Sequence, residues 1–547
     1  MMGVLLLAGV IRGGLIARED CISRDGVHFV TFSKQLQEDP VRWMKITTKQ
    51  PGYSLMLEWT HRMIGPALGG DTPVGWQRCG QVIALLGGVA VCGCVFVLTR
   101  RLFDERFAAL AGVLCAFWPQ GAVLSADVLS DMPHLGMYLL AVLFADRMLG
   151  GGRLGGAIGA GLLAAGAYWL RQEAIGLVAA IGLCLFLERS IQPKRRVLLA
   201  TAFAACFIAG VAPYSMMVGR VMPNKNPGDM LEQLTHTIPS TESATEAGRV
   251  HGSIVNETGR RPGHSVSADL LAHVSRMDEG APAFAAAVPI WKLPGRMAEE
   301  WARSGRYVLA VLVLAALFVN TVPRAERRGA RLIAAAIGAH LLLVVARTGV
   351  YGEISSRYMI IPAALTIPWA AAAMWTLTTG VASRIYNPTG PRKAAVWFSA
   401  LMIALVPMLY YIVRPEPRNK NALRTAGDWL RERRAPGDIV LGHARMEQLL
   451  YYADLCWPDD GRWRRTKETA TAANIESISR RTGARWYVDA IDVRDEEIDV
   501  SALMDGLALS KSRDFTAKRF DESESLGAFV VEIGPIESPS KATGTKE

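Results

Sequence analysis

Hydrophobic and polar positions come in blocks along the first 414 residues, where long apolar runs alternate with short charged connectors. Residues 415–547 mix the two classes as soluble sequences do. The runs fall at 2–18, 77–99, 107–124, 132–149, 154–170, 174–188, 197–218, 305–322, 331–346, 357–380 and 394–413. Most approach the roughly 20 residues needed to cross a hydrocarbon core about 30 Å thick. The pattern predicts an α-helical polytopic membrane protein with about eleven transmembrane helices and a soluble tail. The first run is short and interrupted by Arg12, but it lacks a basic leader and a clear cleavage site, so it reads as a span rather than a signal sequence.

Two polar stretches are long. Residues 19–76 hold Pro40, Trp43, Pro51, Trp59 and apolar residues at helix spacing, as in YSLMLEWTHRMIG, which predicts helices lying along the membrane interface. Residues 219–304 are rich in Ser, Thr, Gly and Pro and read as a flexible loop, closed by an amphipathic approach, VPIWKLPGRMAEEWARS. The loop histidines His236, His251, His264 and His273 lack a metal-helix spacing and read as solvated. In the tail, NALRTAGDWLRERRA and TAANIESISRRTGA predict helices, while IVLGH, RWYVDAID and AFVVEIG predict strands. That alternation implies a small α/β domain over 415–547. No glycine-rich phosphate loop follows these strands, and the last dozen residues read as disordered.

Charge fixes an orientation. The chain of 547 residues is 51% hydrophobic and carries a net charge of +10, much of it in clusters at 100–106, 147–153, 189–196, 324–331 and 384–393. The positive-inside bias places these clusters in the cytoplasm. The stretches 19–76, 119–131, 171–173, 219–304, 347–356 and the tail then lie outside. The clusters lack interleaved aromatic residues, which argues against nucleic acid as a partner. Of the eight cysteines, Cys79, Cys92, Cys94, Cys115, Cys184 and Cys206 sit in or beside apolar runs as small hydrophobes. Cys21 and Cys456 lie outside the membrane and read as two thiols rather than a bridge.

The candidate acids all fall on the outer side. In SRDGVHFVTFSKQL, Asp25 opens an apolar helix, where it is either an N-terminal cap or a reacting group. KQPGYSLML sets Lys49 before a proline-broken helix start. VLSADVLSDMPHLGMYLLAVL puts Asp127 and Asp131 four residues apart on one helix face, at a cost that points to a bound cation, metal or polar substrate. Of the two, Asp127 reads as a helix cap. AYWLRQEAIGL places Arg171 and Glu173 between two spans, and YGEISSRYMIIPAAL adds Glu353, Arg357 and Tyr358. Singly, such residues read as interfacial anchors; together on one face they point to a site.

In order, side and spacing, these elements resemble the membrane glycosyltransferases of the C-type fold over about residues 1–414. Within that fold they resemble the protein O-mannosyltransferase and aminoarabinose lipid A transferase group. RDGVHF is similar to the acidic motif of the family's first outer loop at Asp25, with Gly26 where many members have a second acid. KQPGY resembles its Lys-Pro-Pro-like stretch, which carries over to Lys49, Pro51 and Tyr53. LSDMP resembles the acidic start of the fourth span, at Asp131. LRQEA is similar to an Arg-Pro-Glu hairpin, at Arg171 and Glu173, with Gln172 replacing proline. SRYMIIP resembles the segment opening a late span, at Arg357 and Tyr358.

The resemblance implies a transmembrane glycosyltransferase domain over 1–414, with outer loops 19–76 and 219–304, and an extracytoplasmic α/β domain over 415–547. It implies an enzyme of the bacterial inner membrane that moves a sugar from a polyprenyl-phosphate donor to an extracytoplasmic protein, lipid or glycan. Its partners would be membrane lipid, the lipid-linked donor and that acceptor. By direct, inverting displacement, Asp25 would be the base and Lys49, Arg171 and Arg357 the phosphate ligands. Asp131, Glu173, Glu353, Tyr53 and Tyr358 would orient the site or the sugar. No cofactor is assigned beyond the polyprenyl-phosphate sugar, with a divalent metal left open. The alternative is a transporter or flippase for a lipid-linked sugar, for which repeated halves and polar residues at mid-membrane would be expected.

Overall fold

The computed structural model describes residues 1–47, 49–219, 290–319, 327–351, 354–385, 391–414, 419–443, 446–455, 463–466, 475, 477, 482–492, 515–521 and 526–533. The predicted loop histidines, Glu353 and Cys456 lie outside the described residues.

The first apolar run forms α1 (Met2–Ile16), and the following connector folds into α2 (Arg24–Glu38), α3 (Pro40–Ile46) and α4 (Gly52–Leu68). A long helix, α5 (Pro73–Leu102), starts at Pro73 with Thr72 accepting from Gly75 N at 3.1 Å. The single span expected over 107–124 is instead two helices, α6 (Glu105–Ala116) and α7 (Pro119–Leu124). Pro119 can start a helix but not continue one, so the chain breaks at Phe117 and Trp118. The buried Arg12 explains how this break is tolerated. Its guanidinium donates to Ser125 Oγ at 3.1 Å and to the carbonyls of Ala116 and Cys115 at 3.3 and 3.4 Å. Those carbonyls end α6, where Cys115 O also accepts from Trp118 N at 3.3 Å.

Four helices follow with short connectors: α8 (Asp131–Gly151), α9 (Leu154–Leu170), α10 (Ala174–Leu187) and α11 (Pro193–Val218). Gly152, at φ +58°, closes α8 in the left-handed conformation that glycine adopts without penalty. Next come α12 (Leu293–Ser304) and α13 (Val308–Phe318), meeting at 112°. The expected span over 305–322 is thus shortened and preceded by a bend, where Arg306 and Tyr307 take positive φ and Trp118 Nε1 donates to Ser304 O at 2.7 Å. Three more helices, α14 (Arg327–Tyr351), α15 (Ile360–Ile385) and α16 (Pro391–Val413), complete the apolar part.

By length and composition, four described segments can each cross a bilayer, at 73–102, 193–218, 328–348 and 356–380, and the bent pair α12–α13 would make a fifth. The helices Met2–Ile16, Leu154–Leu170, Ala174–Leu187 and Phe398–Val413 are apolar but shorter. This is a mostly helical, multi-span membrane protein in which length and composition establish four to five of the roughly eleven expected spans among the described residues.

The bundle has two chemically different ends. At one, Arg101 pairs with Asp146 at 2.6 Å, Arg331 with Glu188 at 3.2 Å, and Arg195 Nε donates to Gly152 O at 3.0 Å. Four of the basic clusters therefore border the same end. The other end holds the start of α8, the α9–α10 connector and the start of α15. The 21 residues of α8 separate the two ends by about 30 Å, the thickness of a bilayer core.

The tail contributes α17 (Asn419–Arg433), β1 (Val440–His443), α18 (Glu447–Tyr452), β2 (Trp463–Thr466), β3 (Trp486–Asp492), β4 (Phe515–Asp521) and β5 (Leu526–Ile533). One five-stranded sheet runs in the order β2-β1-β3-β5-β4. β1 is parallel to β2 and β3, while β5 is antiparallel to β3 and β4. The expected helix TAANIESISRRTGA lies mostly outside the described residues. The small sheet is not free-standing: Tyr451 and Tyr452 of α18 are buried in the same apolar core as the membrane helices.

Candidate active site

α2 begins where Ser23, in an extended conformation, accepts from Gly26 N at 3.2 Å. Ser23 is therefore the cap, and Asp25 stands in the first turn with its carboxylate free to face elsewhere. Gly26 behind it has no room for a side chain, because a Cβ would lie 3.1 Å from both Val128 Cβ and Val128 O. A second acid does not fit there without moving that loop. Asp127 does not cap α8 either, since it accepts from Ser23 N at 3.0 Å and ties the 125–130 loop to the start of α2. Asp127 precedes α8, so it shares no helix with Asp131.

Close approach brings the next residue in. Gly52 packs so tightly on Trp169 that a Cβ would meet the Trp169 carbonyl at 2.4 Å, which draws the 49–52 segment against the end of α9. Lys49 Nζ then reaches Asp25 Oδ1 at 2.7 Å. Ser355 starts a short 3₁₀ turn, Ser356–Met359, packed on Leu293 and Met297 of α12, and this turn presents Arg357.

Six charged side chains join into one row of alternating sign. Lys49 pairs with Asp25, and Asp25 Oδ2 accepts from Arg357 Nη1 at 2.7 Å. Arg357 Nη2 donates to Asp131 Oδ2 at 2.7 Å, and Asp131 Oδ1 accepts from Arg171 Nη1 at 2.6 Å. Arg171 closes the row on Glu173 at 3.2 Å. Three cations face three anions. Exposure is lowest at Asp131, 0%, stays small at Arg171 and Glu173, 17% and 14%, and reaches 32% for Arg357 and 37% for both Asp25 and Lys49. The open end is Lys49–Asp25–Arg357.

Burial pushes the Asp25 carboxyl up, but Lys49 and Arg357 outweigh it and hold Asp25 well below the ordinary carboxylate range. Glu173, between its spans, is likewise held down because Arg171 overcomes its burial. Asp25 is thus an ionised but weakly basic carboxylate while its two cations stay on it.

The remaining residues nominated from sequence lie beside the row. Tyr53 is fully buried, donating to Gly80 O at 3.0 Å with its ring edge-on to Phe29. Tyr358 stacks under Arg347 at 4.4 Å and its carbonyl faces His340 Nε2 at 2.7 Å. Sequence reasoning missed His134 and His340, both buried and within electrostatic reach of Arg171 and Glu173. It also missed Glu447 of α18, which holds Arg24 next to Asp25. Among the described residues, no three His, Cys, Asp or Glu side chains converge as a metal site. Asp25 and Asp131 already share Arg357, so their charge is matched without a metal cation.

Residues 56–216 match the family model of dolichyl-phosphate-mannose-protein mannosyltransferases. No curated protein sequence matches the chain. Among solved structures, ArnT from Cupriavidus metallidurans, bound to undecaprenyl phosphate, aligns with a TM-score of 0.57 at 12% identity, covering 97% of each chain. The oligosaccharyltransferase AglB from Archaeoglobus fulgidus, in complex with an inhibitory peptide and a dolichol-phosphate, aligns with a TM-score of 0.50 at 12% identity, covering 96% of this chain and 74% of its own. At such identities the likeness shows the fold alone, and the family model covers residues 56–216. The chain has the fold of the ArnT and AglB membrane glycosyltransferases, and its residues 56–216 match the dolichyl-phosphate-mannose-protein mannosyltransferase family model.

Proposed function

We propose that this protein moves a sugar from a polyprenyl-phosphate donor to an extracytoplasmic acceptor by direct displacement with inversion. The observation that carries the reading is the open end of the charged row, where one carboxylate lies between two cations. A phosphodiester donor already has an anionic leaving group, so it needs cations more than a proton. Lys49 and Arg357 are long side chains at the exposed end and suit that role, with the guanidinium as a two-pronged phosphate ligand. Arg171, Asp131 and Glu173 form the buried end and balance the charge of Arg357 from beneath, so Arg171 acts on the phosphate through the row.

In the reaction, the acceptor hydroxyl oxygen attacks the anomeric carbon from the face opposite the phosphate. The bond from that carbon to the phosphate oxygen breaks, and its electron pair leaves with the polyprenyl phosphate. The hydroxyl proton passes to Asp25. Donor binding and base activation are coupled in this scheme. As the phosphate draws Lys49 and Arg357 toward itself, their hold on Asp25 weakens and its basicity rises.

The reading places the row at the outer face of the bacterial inner membrane, with the five basic clusters in the cytoplasm and about eleven helices crossing if the shorter apolar ones span as well. Residues 1–414 would form the transferase domain and 415–547 an extracytoplasmic domain. The test is to incubate the purified protein in detergent with radiolabelled polyprenyl-phosphate sugars and candidate acceptors. Release of polyprenyl phosphate together with labelled acceptor supports the reading. A protein in proteoliposomes that carries the labelled lipid across intact, and cleaves none of it, is a flippase instead.

A further inference from the structure

The acid on α18 has no part in the reaction as described. Glu447 has a side chain only 2% exposed, yet it takes Arg24 in a fork, with Nε at 2.5 Å and Nη2 at 2.8 Å. His28 Nε2 lies 3.4 Å from the same carboxylate. Its neighbours on the helix hold the chain just before α2. Gln448 Nε2 donates to Ile22 O at 2.5 Å, Tyr452 Oη accepts from Ile22 N at 3.0 Å, and Arg424 of α17 donates to Asp20 O at 2.8 Å. From the other flank Asp127 accepts from Ser23 N. The turn that launches α2 is thereby gripped on both sides, and most of the grip comes from a segment more than 400 residues away in the chain.

Arg24 is the residue that makes this placement matter. It is the sequence neighbour of Asp25 and stands in the same first turn of α2, with its guanidinium held by Glu447. Side chains at i and i+1 on a helix do not face each other, so its effect on Asp25 is one of field rather than contact. Lys49 and Arg357 border the open end of the row, where the proposed donor phosphate would bind; Arg24 is instead directed to Glu447 by the fork. We propose that Glu447 is a positioning residue for glycosyl transfer: it balances the charge of Arg24 and fixes the first turn of α2, leaving Asp25 matched only by the two cations a donor phosphate can draw away. The proposal rests on Asp25 being the base.

The charged groups facing Asp25 are Lys49, Arg357 and, across Arg357, Asp131, with Arg24 beside it in the same turn. Those facing Glu447 are Arg24 and His28. The experiment measures the acid limb of the kcat pH profile, normalised to folded protein, in a His28→Gln background. Glu447→Gln leaves Arg24 unbalanced beside Asp25, so the limb moves to lower pH and kcat falls about 3- to 10-fold at its plateau, as a base of lower basicity requires. Arg24→Gln leaves the anion of Glu447 unbalanced, so the limb moves to higher pH. The double variant returns the limb to its parental position, and each single displacement shrinks as salt is raised, because Arg24 is more than half exposed.

A purely structural clamp predicts something different: both single variants lose activity alike with no opposite displacement, and that result overturns the proposal. Should Glu447→Gln fail to fold, the upward displacement in Arg24→Gln decides alone, and its absence refutes the proposal. Asp25→Asn separates the two levels of failure. If it remains active, the reading of Asp25 as base has failed; if it is inactive while the limbs stay put, only the role of Glu447 has failed.

Discussion

Neutralising Asp131 perturbs the charged row where it is most buried. The side chain is fully enclosed and takes Arg171 at 2.6 Å and Arg357 at 2.7 Å. Asp131→Asn keeps the shape and one acceptor oxygen but leaves two guanidinium groups facing each other across an uncharged amide. Removing one partner of a buried ion pair costs about 3–5 kcal/mol. Here Arg171 keeps Glu173 and Arg357 keeps Asp25, so the lower end, about 3 kcal/mol, is expected. The assay is equilibrium unfolding in mixed detergent micelles, comparing Asp131→Asn, Arg357→Gln and the double variant. The double variant should lose less than the sum of the singles, with a coupling of about 1–3 kcal/mol. An Asp131→Asn protein within about 0.5 kcal/mol of the parent, with additive singles, refutes the row as an energetic unit.

The pH dependence has a definite sign. Asp25 is held low by Lys49 and Arg357 in the free enzyme, so the acid limb of kcat/KM should lie below the ordinary aspartate value, and the limb of kcat, which reports the donor complex, at higher pH; coincident limbs contradict the coupling of donor binding to base activation. Because Asp25 and Glu173 both have depressed values, their contribution to stability is fully present above the ordinary carboxylate range and is lost as pH falls through the folded values, which acid unfolding monitored by tryptophan fluorescence will register. A reporter fused after residue 414 should be active only outside the cytoplasm, and cytoplasmic activity would put Asp25 on the wrong side for the donor.

Much of the site was legible because its residues sit at the ends of apolar runs. Asp131, Arg171, Glu173 and Arg357 each stand where a charged side chain is costly unless it is matched, and a shared side is what the basic clusters predict; Lys49 lies instead within the polar stretch 19–76. Sequence does not show who matches whom. The exposure gradient depends on Gly52 closing on Trp169, and the cap of α2 passed to Ser23 because its side chain reaches Gly26 N. Arg12 looked like an interruption of a span, yet it serves the end of α6, a partner set by tertiary packing. The strands WRRT and FTAKRFD carry too much charge to show an alternating pattern, so two edge positions of the sheet went unread. Glu447 was invisible for a different reason: nothing local distinguishes it, and its meaning comes from α18 docking beside α2.

The most direct test of the central claim is the turnover of Asp25→Asn with a polyprenyl-phosphate sugar that the parent protein consumes. Asparagine preserves the shape and can still accept from Lys49 and Arg357, but it cannot take a proton from the acceptor hydroxyl. The account predicts a folded protein that binds donor and transfers sugar about 10²- to 10⁴-fold more slowly than the parent. Transfer at the parental rate by folded, donor-binding Asp25→Asn would contradict it.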